Sequence, residues 1–296
     1  MSKKYLAYTL LVCTTLIWSV NFIIGKFAYL FEVPPLSLNF LRWALVWFLL
    51  FPFTYKEIFL NLRLIKKNII YLTILAITSV SAFNSLVYLS LNYTQAIDTI
   101  LMISIIPVFV LFLSSILGIE KFKFIQFLGL IVSFTGVLII FSHADLSKII
   151  NLNFNKGNGW MLLAVFSWAL YSSLLKKKKL PFSTLGLVEI LASIGLIFLI
   201  PQFIGEQMYG KEIKFNKAFF FILSFVTLFA SIGAYYSWNR AIELIGPNRA
   251  SIFLHLMPVF GVILAIVLLK EKFQIYHFFG AGFIVIGIYL SNRKTQ

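Results

Sequence analysis

Arg42, Asp98, Glu189 and His255 stand inside long apolar stretches of the sequence. A charge exposed to lipid costs about 2.5–3.5 kcal/mol on insertion scales, so such side chains turn toward a cavity or a partner. Arg42 offers a planar fork of donors that matches a substrate carboxylate. The alternative is that it reaches back to the headgroups or joins two helices. Glu189 suits an ammonium group or a carried proton, or else contact with headgroups. His255 precedes Pro258 by three residues and either titrates with a coupled proton or hydrogen-bonds a neighbouring helix. Asp98 fits a helix N-terminus on dipole grounds alone, or else takes a substrate or ion role. Arg42 and Glu189 each follow a proline, Pro34 and Pro181, by eight positions, which hints that they correspond to one another.

Uncharged polar groups accompany them: Asn21, Asn84, Tyr88, Tyr171, Tyr235 and Asn239. Hydrocarbon offers these no hydrogen-bond partner, so they are expected to face the protein interior. Trp18 and Trp168 lie deep in their apolar runs, which argues against interfacial belt positions. Together with Arg42, Glu189 and His255, these eight residues form the expected lining of a central cavity. Pro107 and Pro258 each sit inside an apolar run, where the missing N–H weakens a helix and marks a kink, either a gate or a static bend. Glu120 and Glu271 read as turn or capping residues.

Other chemistry is missing from the sequence. Three scattered histidines and a single cysteine, Cys13, give no metal-ligand spacing. No nucleophile–base set and no Gly-x-x-x-x-Gly-Lys-Ser/Thr run is found, so neither catalysis nor ATP-driven work is expected, and no cofactor.

These side chains must be positioned by membrane-embedded helices. Hydrophobic residues make up 60% of the 296 positions and charged residues 12%, about half the charge of an ordinary soluble domain. Ten apolar segments follow, at 5–27, 36–53, 69–91, 96–116, 124–141, 159–175, 185–204, 218–242, 250–268 and 275–290. Net charge is +15, and Lys and Arg concentrate in alternate connections, including the run Lys176–Lys179. That bias predicts a multi-pass protein of the cytoplasmic membrane with both termini inside. It assigns the basic excess to anionic lipid rather than nucleic acid. Lys3 and Lys4 precede a first span that is expected to be retained rather than cleaved.

Sliding the chain by about 151 residues superposes its two parts. Pro107-Val108-Phe109 falls on Pro258-Val259-Phe260, and Glu120-Lys121-Phe122 on Glu271-Lys272-Phe273. Gly129 and Gly136 fall on Gly280 and Gly287, and Trp18 and Lys26 lie near the matching places of Trp168 and Lys176. The fold expected is therefore an all-α integral membrane protein of ten transmembrane helices in two five-helix repeats, 1–145 and 146–296. An odd number of spans per repeat inverts the second copy, an arrangement common in secondary transporters.

The tryptophan-bearing segments Leu16-Ile17-Trp18-Ser19 and Phe166-Ser167-Trp168-Ala169-Leu170-Tyr171, the pair Leu41-Arg42, and the Pro-Val-Phe…Glu-Lys-Phe…Gly…Gly pattern closing each repeat resemble the EamA family of the drug/metabolite transporter superfamily. Ser19 replaces the glycine common in that family, and Asp98 replaces a small residue. The resemblance implies helices around a central cavity, alternating access, and a small metabolite substrate, often an amino acid or derivative, usually exported. Proton coupling and a homodimer are compatible with it. The competing reading is a membrane scaffold or receptor that transports nothing.

Overall fold

The computed structural model describes residues 2–94, 96–142, 145, 155–210, 212–269 and 274–293, with backbone alone at 96–98, 100, 265, 268 and 269. Among them all regular structure is helical. Eight helices are long and apolar enough to cross a membrane. They include α1 (Lys3–Leu30), α2 (Pro35–Leu60), α4 (Ile69–Leu91), α7 (Phe124–Ser142), α9 (Thr184–Met208), α10 (Lys217–Ile245) and α13 (Ile275–Asn292). The eighth, Pro247–Leu264, is built from α11 (Pro247–Ser251), a 3-10 turn (Ile252–His255) and the start of α12 (Leu256–Leu269). A short α3 (Leu62–Lys67) links α2 to α4.

Two segments expected as plain spans differ from that standard. The segment at 96–116 is broken into α5 (Ala96–Ile103) and α6 (Ile106–Ile116), with Pro107 in the first turn of α6. Proline fits a helix start because its absent N–H has no partner there. The other is α8 (Lys156–Leu174), a continuous helix diluted by Asn158, Ser167, Tyr171, Ser172 and Ser173. Its polar side chains are mostly buried, so it faces protein more than lipid.

Helix limits follow local chemistry. Asn155, Ser183 and Asn216 cap α8, α9 and α10 by accepting the amides of Asn158, Gly186 and Phe219. Helices α2 and α9 run on through Pro52 and Pro201, further than the apolar pattern alone reaches. Gly246 joins α10 to α11 at φ 86°, and a Cβ there would lie 1.8 Å from Glu120 Oε1. Glycine is required on both counts. The outer surface is apolar, with Phe48, Phe112, Ile197, Phe221 and Phe278 more than half exposed. Such a surface suits acyl chains and would aggregate in water.

Contacts between the two parts come in matched pairs. Helix α1 packs on α10 as α8 packs on α4, and α1 on α12 as α8 on α6. Helices α7 and α13 cross antiparallel through four glycines. A Cβ on Gly129 would meet Gly287 O at 2.6 Å, and one on Gly136 would meet Gly280 O at 2.4 Å. Helices α2 and α9 are antiparallel too. Glu206 Oε2 accepts Ser37 N (2.6 Å) and Ser37 Oγ (2.8 Å) at one end. Glu57 accepts the Ser183 amide and hydroxyl at the other. These two caps are similarly placed: at a shift of 149 Glu57 falls on Glu206, while Ser37 falls on Gly186, which lies against Glu57 three residues past Ser183. The helix starts agree, since the N-caps are Pro34 and Ser183. By that register Arg42 corresponds to Leu191, so the count from Pro181 that linked it to Glu189 is off by two.

The same contacts define two ends of the bundle. Glu57–Ser183, Lys178–Asn68 and Glu120–Lys176 gather at one end. Glu206–Ser37, Lys26 with the Leu91 and Thr94 carbonyls, and Lys214–Glu32 gather at the other. The Tyr8 ring of α1 packs at a tilt against Phe253, and Ser291 of α13 sits beside Gly129. The first and last helices thus have their outer termini at the Lys176 end.

Candidate functional site

Arg42 is the polar centre of the molecule. It is 1% exposed. Its Nε donates to Ser231 Oγ, Nη1 donates to Asn84 Oδ1 (2.9 Å) and Tyr88 OH (3.0 Å), and Nη2 donates to the Ala230 carbonyl (3.1 Å). Asn84 and Tyr88 belong to α4, Ser231 and Ala230 to α10, so one guanidinium ties the two parts together. A guanidinium has five N–H donors, so one on Nη2 remains.

The acceptors arise from a specific backbone device. Both α4 and α10 contain a π-helical stretch, Ile77–Ser81 and Val226–Gly233, about 150 residues apart in the chain. A π turn shifts the hydrogen-bond ladder and leaves carbonyls open to other donors. The Ser79 carbonyl takes Asn84 Nδ2 (2.9 Å) and Tyr235 OH (2.8 Å), the Thr78 carbonyl takes Ser167 Oγ (2.8 Å), and the Val80 carbonyl takes Asn39 Nδ2 (3.2 Å). The Ala230 carbonyl takes Trp18 Nε1 (3.1 Å) as well as Arg42. In a low-dielectric interior each of these carbonyls would otherwise be unsatisfied.

Arg42, Asn84, Tyr88 and Tyr235 open onto a narrow cavity with Trp18, Asn21 and Trp168. The indoles of Trp18 and Trp168 meet edge to face at 5.1 Å, and Tyr235 lies 5.3 Å from Trp168. The buried Trp168 Nε1 and Asn21 Oδ1 have no hydrogen-bond partner, which leaves a donor and an acceptor on the cavity wall. The other walls are apolar: Phe22, Phe83, Val87, Ile103, Ile106, Leu254 and Met257. Among the described residues no carboxylate lines it. The space between these atoms has room for a water molecule but not for a metabolite.

Seven of the residues singled out in the sequence are thus brought together. Tyr171 and Asn239 stand one layer behind, joined to each other (2.6 Å), with the Tyr171 ring 5.1 Å from Trp168. His255 lies apart from the cavity, its Nε2 2.9 Å from Ser104 O and its Nδ1 2.6 Å from Ser133 Oγ. It bridges the broken helix pair α5–α6 to α7. Glu189 is fully buried in α9, away from the cavity and from Arg42. Pro107 and Pro258 lie at the breaks that deliver Ile106 and Met257 to the cavity. Glu120 caps the α11 amide of Asn248 (3.2 Å) and pairs with Lys176 (3.0 Å). Its counterpart Glu271 and the side chain of Asp98 lie outside the described residues.

The apolar walls were missed by a reading that searched for polar groups, although signals existed. Phe83 and Val87 flank Asn84 and Tyr88 on one helical face. Ile103 and Ile106 match Leu254 and Met257 at a shift of 151. Ser231 had no such signal, because a serine in an apolar run reads as filler until the π turn places it.

Known proteins share this plan. The model of the EamA-like transporter family matches residues 5–142 and again 155–293. An uncharacterized transporter of Archaeoglobus fulgidus is 28% identical over 298 residues, covering 100% of this chain and 99% of the relative. The uncharacterized transporter YyaM of Bacillus subtilis is 24% identical, covering 76% of this chain and 73% of its own. The thiamine-repressible mitochondrial transport protein THI74 of Saccharomyces cerevisiae is 25% identical over 70% of this chain and 58% of its own. A solved structure titled only as a crystal structure of a protein superposes with a TM-score of 0.71 at 14% identity, covering 98% of this chain and 96% of that one, a likeness of fold. With its multi-pass apolar helices and a family match spanning both repeats, the chain belongs to the EamA-like transporter family.

Proposed function

We propose that the chain is a secondary transporter for a small metabolite bearing a carboxylate, an amino acid or derivative, which it exports across the cytoplasmic membrane. Ten spans in two inverted halves, 1–145 and 146–296, enclose the site, and access alternates as the halves rock about it. The observation that carries this reading is Arg42, buried between the halves and bound only by neutral groups among the described residues. A guanidinium so placed attracts an anion, and the aromatic walls suit an apolar body.

The antiparallel crossings of α7 with α13 and of α2 with α9 support the inverted arrangement, because each pair unites corresponding helices of the two halves. The broken segments beside the cavity fit discontinuous helices lining a midplane site. The gathering of Lys56, Arg63, Lys66, Lys67, Lys121, Lys123 and Lys176–Lys179 toward one end supports cytoplasmic termini. The tight cavity fits an occluded state.

Metabolite profiling of medium and cell extract after overexpression and after deletion tests the reading. A carboxylate that accumulates outside on overexpression and inside on deletion is the expected result, followed by its flux unchanged in structure through proteoliposomes. Chemical conversion of the compound would make the chain an enzyme. A protein that inserts but carries nothing would leave a scaffold or receptor.

A further inference from the structure

The seam between α2 and α9 holds three carboxylates, and the chain treats them differently. Glu206 takes the amide and hydroxyl of Ser37, and Glu57 takes those of Ser183. Each is a negative charge at a helix start, where both donors and dipole favour it. Glu189 is 0% exposed and neither of its oxygens has a hydrogen-bond partner.

Its surroundings follow from the register of the seam. Ser37 faces Glu206, Phe40 stacks on Phe203 at 4.7 Å, and Glu57 packs against Gly186. Each pair of numbers adds to 243, which sets Thr54 opposite Glu189. The Thr54 hydroxyl donates to its own Leu50 carbonyl (3.0 Å) and is spent. At the mate of this position, where the other end of the seam has Phe40 on Phe203, two apolar rings fill the space. Glu189 therefore occupies a dry site that its counterpart closes with hydrocarbon.

The elements packed on α9 are α2, α4 and α10. On α2, Arg42 is engaged at the cavity, Glu57 caps Ser183, and Tyr55 and Lys56 are exposed. On α4, Tyr71 donates to Leu174 O and Tyr88 accepts from Arg42. On α10, Tyr235 donates to Ser79 O, Tyr236 is exposed, and Arg240 pairs with Glu243. Each has another partner or points outward.

We propose that Glu189 is a proton-binding site that governs the α2–α9 seam at the Lys176 end. An ionised carboxylate without donors is untenable in a dry seam, so closure requires the carboxylic acid. Parting the helices admits water, the O–H bond breaks, and the proton leaves to that water while the carboxylate stays hydrated. Reclosure requires a proton to be taken back. Because α2 and α9 belong to different halves, proton occupancy is linked to their relative movement. The site lies about 9 Å along α9 from its start, within reach of the aqueous phase at that end. The proposal holds whichever compound the cavity carries.

The test needs no substrate. Purified full-length protein in lipid vesicles is titrated with pH while its infrared spectrum is recorded. The wild type is expected to show the carbonyl stretch of a buried carboxylic acid that bleaches as pH rises, Glu189→Gln to lack it, and Glu189→Asp to retain one. Identical wild-type and Glu189→Gln spectra would overturn the proposal. A second readout uses Thr54→Cys in a Cys13→Ala background, labelled by a membrane-impermeant maleimide at a rate corrected for the thiolate fraction. Labelling should rise about tenfold per pH unit below the apparent pKa, the slope of one proton, and lose that slope with Glu189→Gln. The same slope in both would likewise reject it. A wild type that shows the infrared band but carries no compound would count against the transport reading and leave this one standing.

Discussion

Replacing Arg42 separates an anchor for substrate from a strut between helices. Four of its five N–H donors are taken by Ser231, Asn84, Tyr88 and Ala230. A substrate carboxylate therefore meets one free donor on Nη2 unless it displaces Tyr88 or Asn84. One hydrogen bond to a charged group is worth about 1.5–3 kcal/mol, which converts to a ~10- to 150-fold change in affinity. Arg42→Lys keeps the charge, but its three donors cannot serve four acceptors and a substrate together. The expected result is a KM for a carboxylate substrate raised ~10- to 150-fold in Arg42→Lys and transport abolished in Arg42→Gln, measured as flux in proteoliposomes. Both variants lose some thermal stability, because Ala230 and Ser231 are left with fewer donors. Tyr88→Phe is the control: it frees a second donor without removing the charge, so it should preserve or tighten binding. Wild-type flux through inserted, folded Arg42→Gln would refute the reasoning.

Three further outcomes concern the frame around the site. Gly287→Ala places a Cβ 2.5 Å from Gly129 O and Ser133 N, and should destabilise the α7–α13 crossing by ~1–3 kcal/mol, whereas Gly282→Ala enters open space and should not; equal melting temperatures would contradict the close approach. Glu206→Gln weakens the cap on α2 and should cost ~1–2 kcal/mol in thermal unfolding, more than Glu57→Gln at the less buried end; the reverse order would be evidence against the seam as described. Lys214 holds Glu32 below the ordinary carboxylate range through hydrogen bond and charge, so the pair's contribution is present above the unfolded carboxylate pKa and fades as pH falls through the lowered value. Both groups are exposed, so Lys214→Ala should leave the melting temperature unchanged in moderate salt, and a clear drop would show a load on that loop contact.

The residues that were legible in the sequence share a physical reason. A polar group in an apolar run has few places to go, so Arg42, Asn84, Tyr88 and Tyr235 had to converge. The matched tryptophans, Trp18 and Trp168, do meet, as buried rings deep in their spans are free to do. Positions that depended on backbone detail were not legible in the sequence. The π turns shift the face presented by α4 and α10, and nothing in Ile77–Ser81 or Val226–Gly233 announces them. Glu57 and Glu206 carry no signal in the sequence, because their partners, Ser183 and Ser37, lie more than 120 residues away in the chain. His255 could be placed in a span but not on an axis. Its partner Ser104 is its own counterpart at a shift of 151, and that is visible only when the copies are folded together.

The breaks in the two prolyl segments end beside the cavity. Ile103 and Ile106 flank the turn between α5 and α6, and Leu254 and Met257 flank the start of α12; all four face the cavity. Arg42, by contrast, sits on an unbroken helix and is fastened to two others. A substrate would thus meet one wall that is braced and one wall that ends in helix termini. In the proposed transport cycle, movement at those termini would change the width of the cavity while the guanidinium of Arg42 stays fixed. Ser104 and His255 are bonded across the two breaks and tie those segments to each other. Under the proposed inverted arrangement, that bond between positions 151 residues apart would link opening on one side to closing on the other.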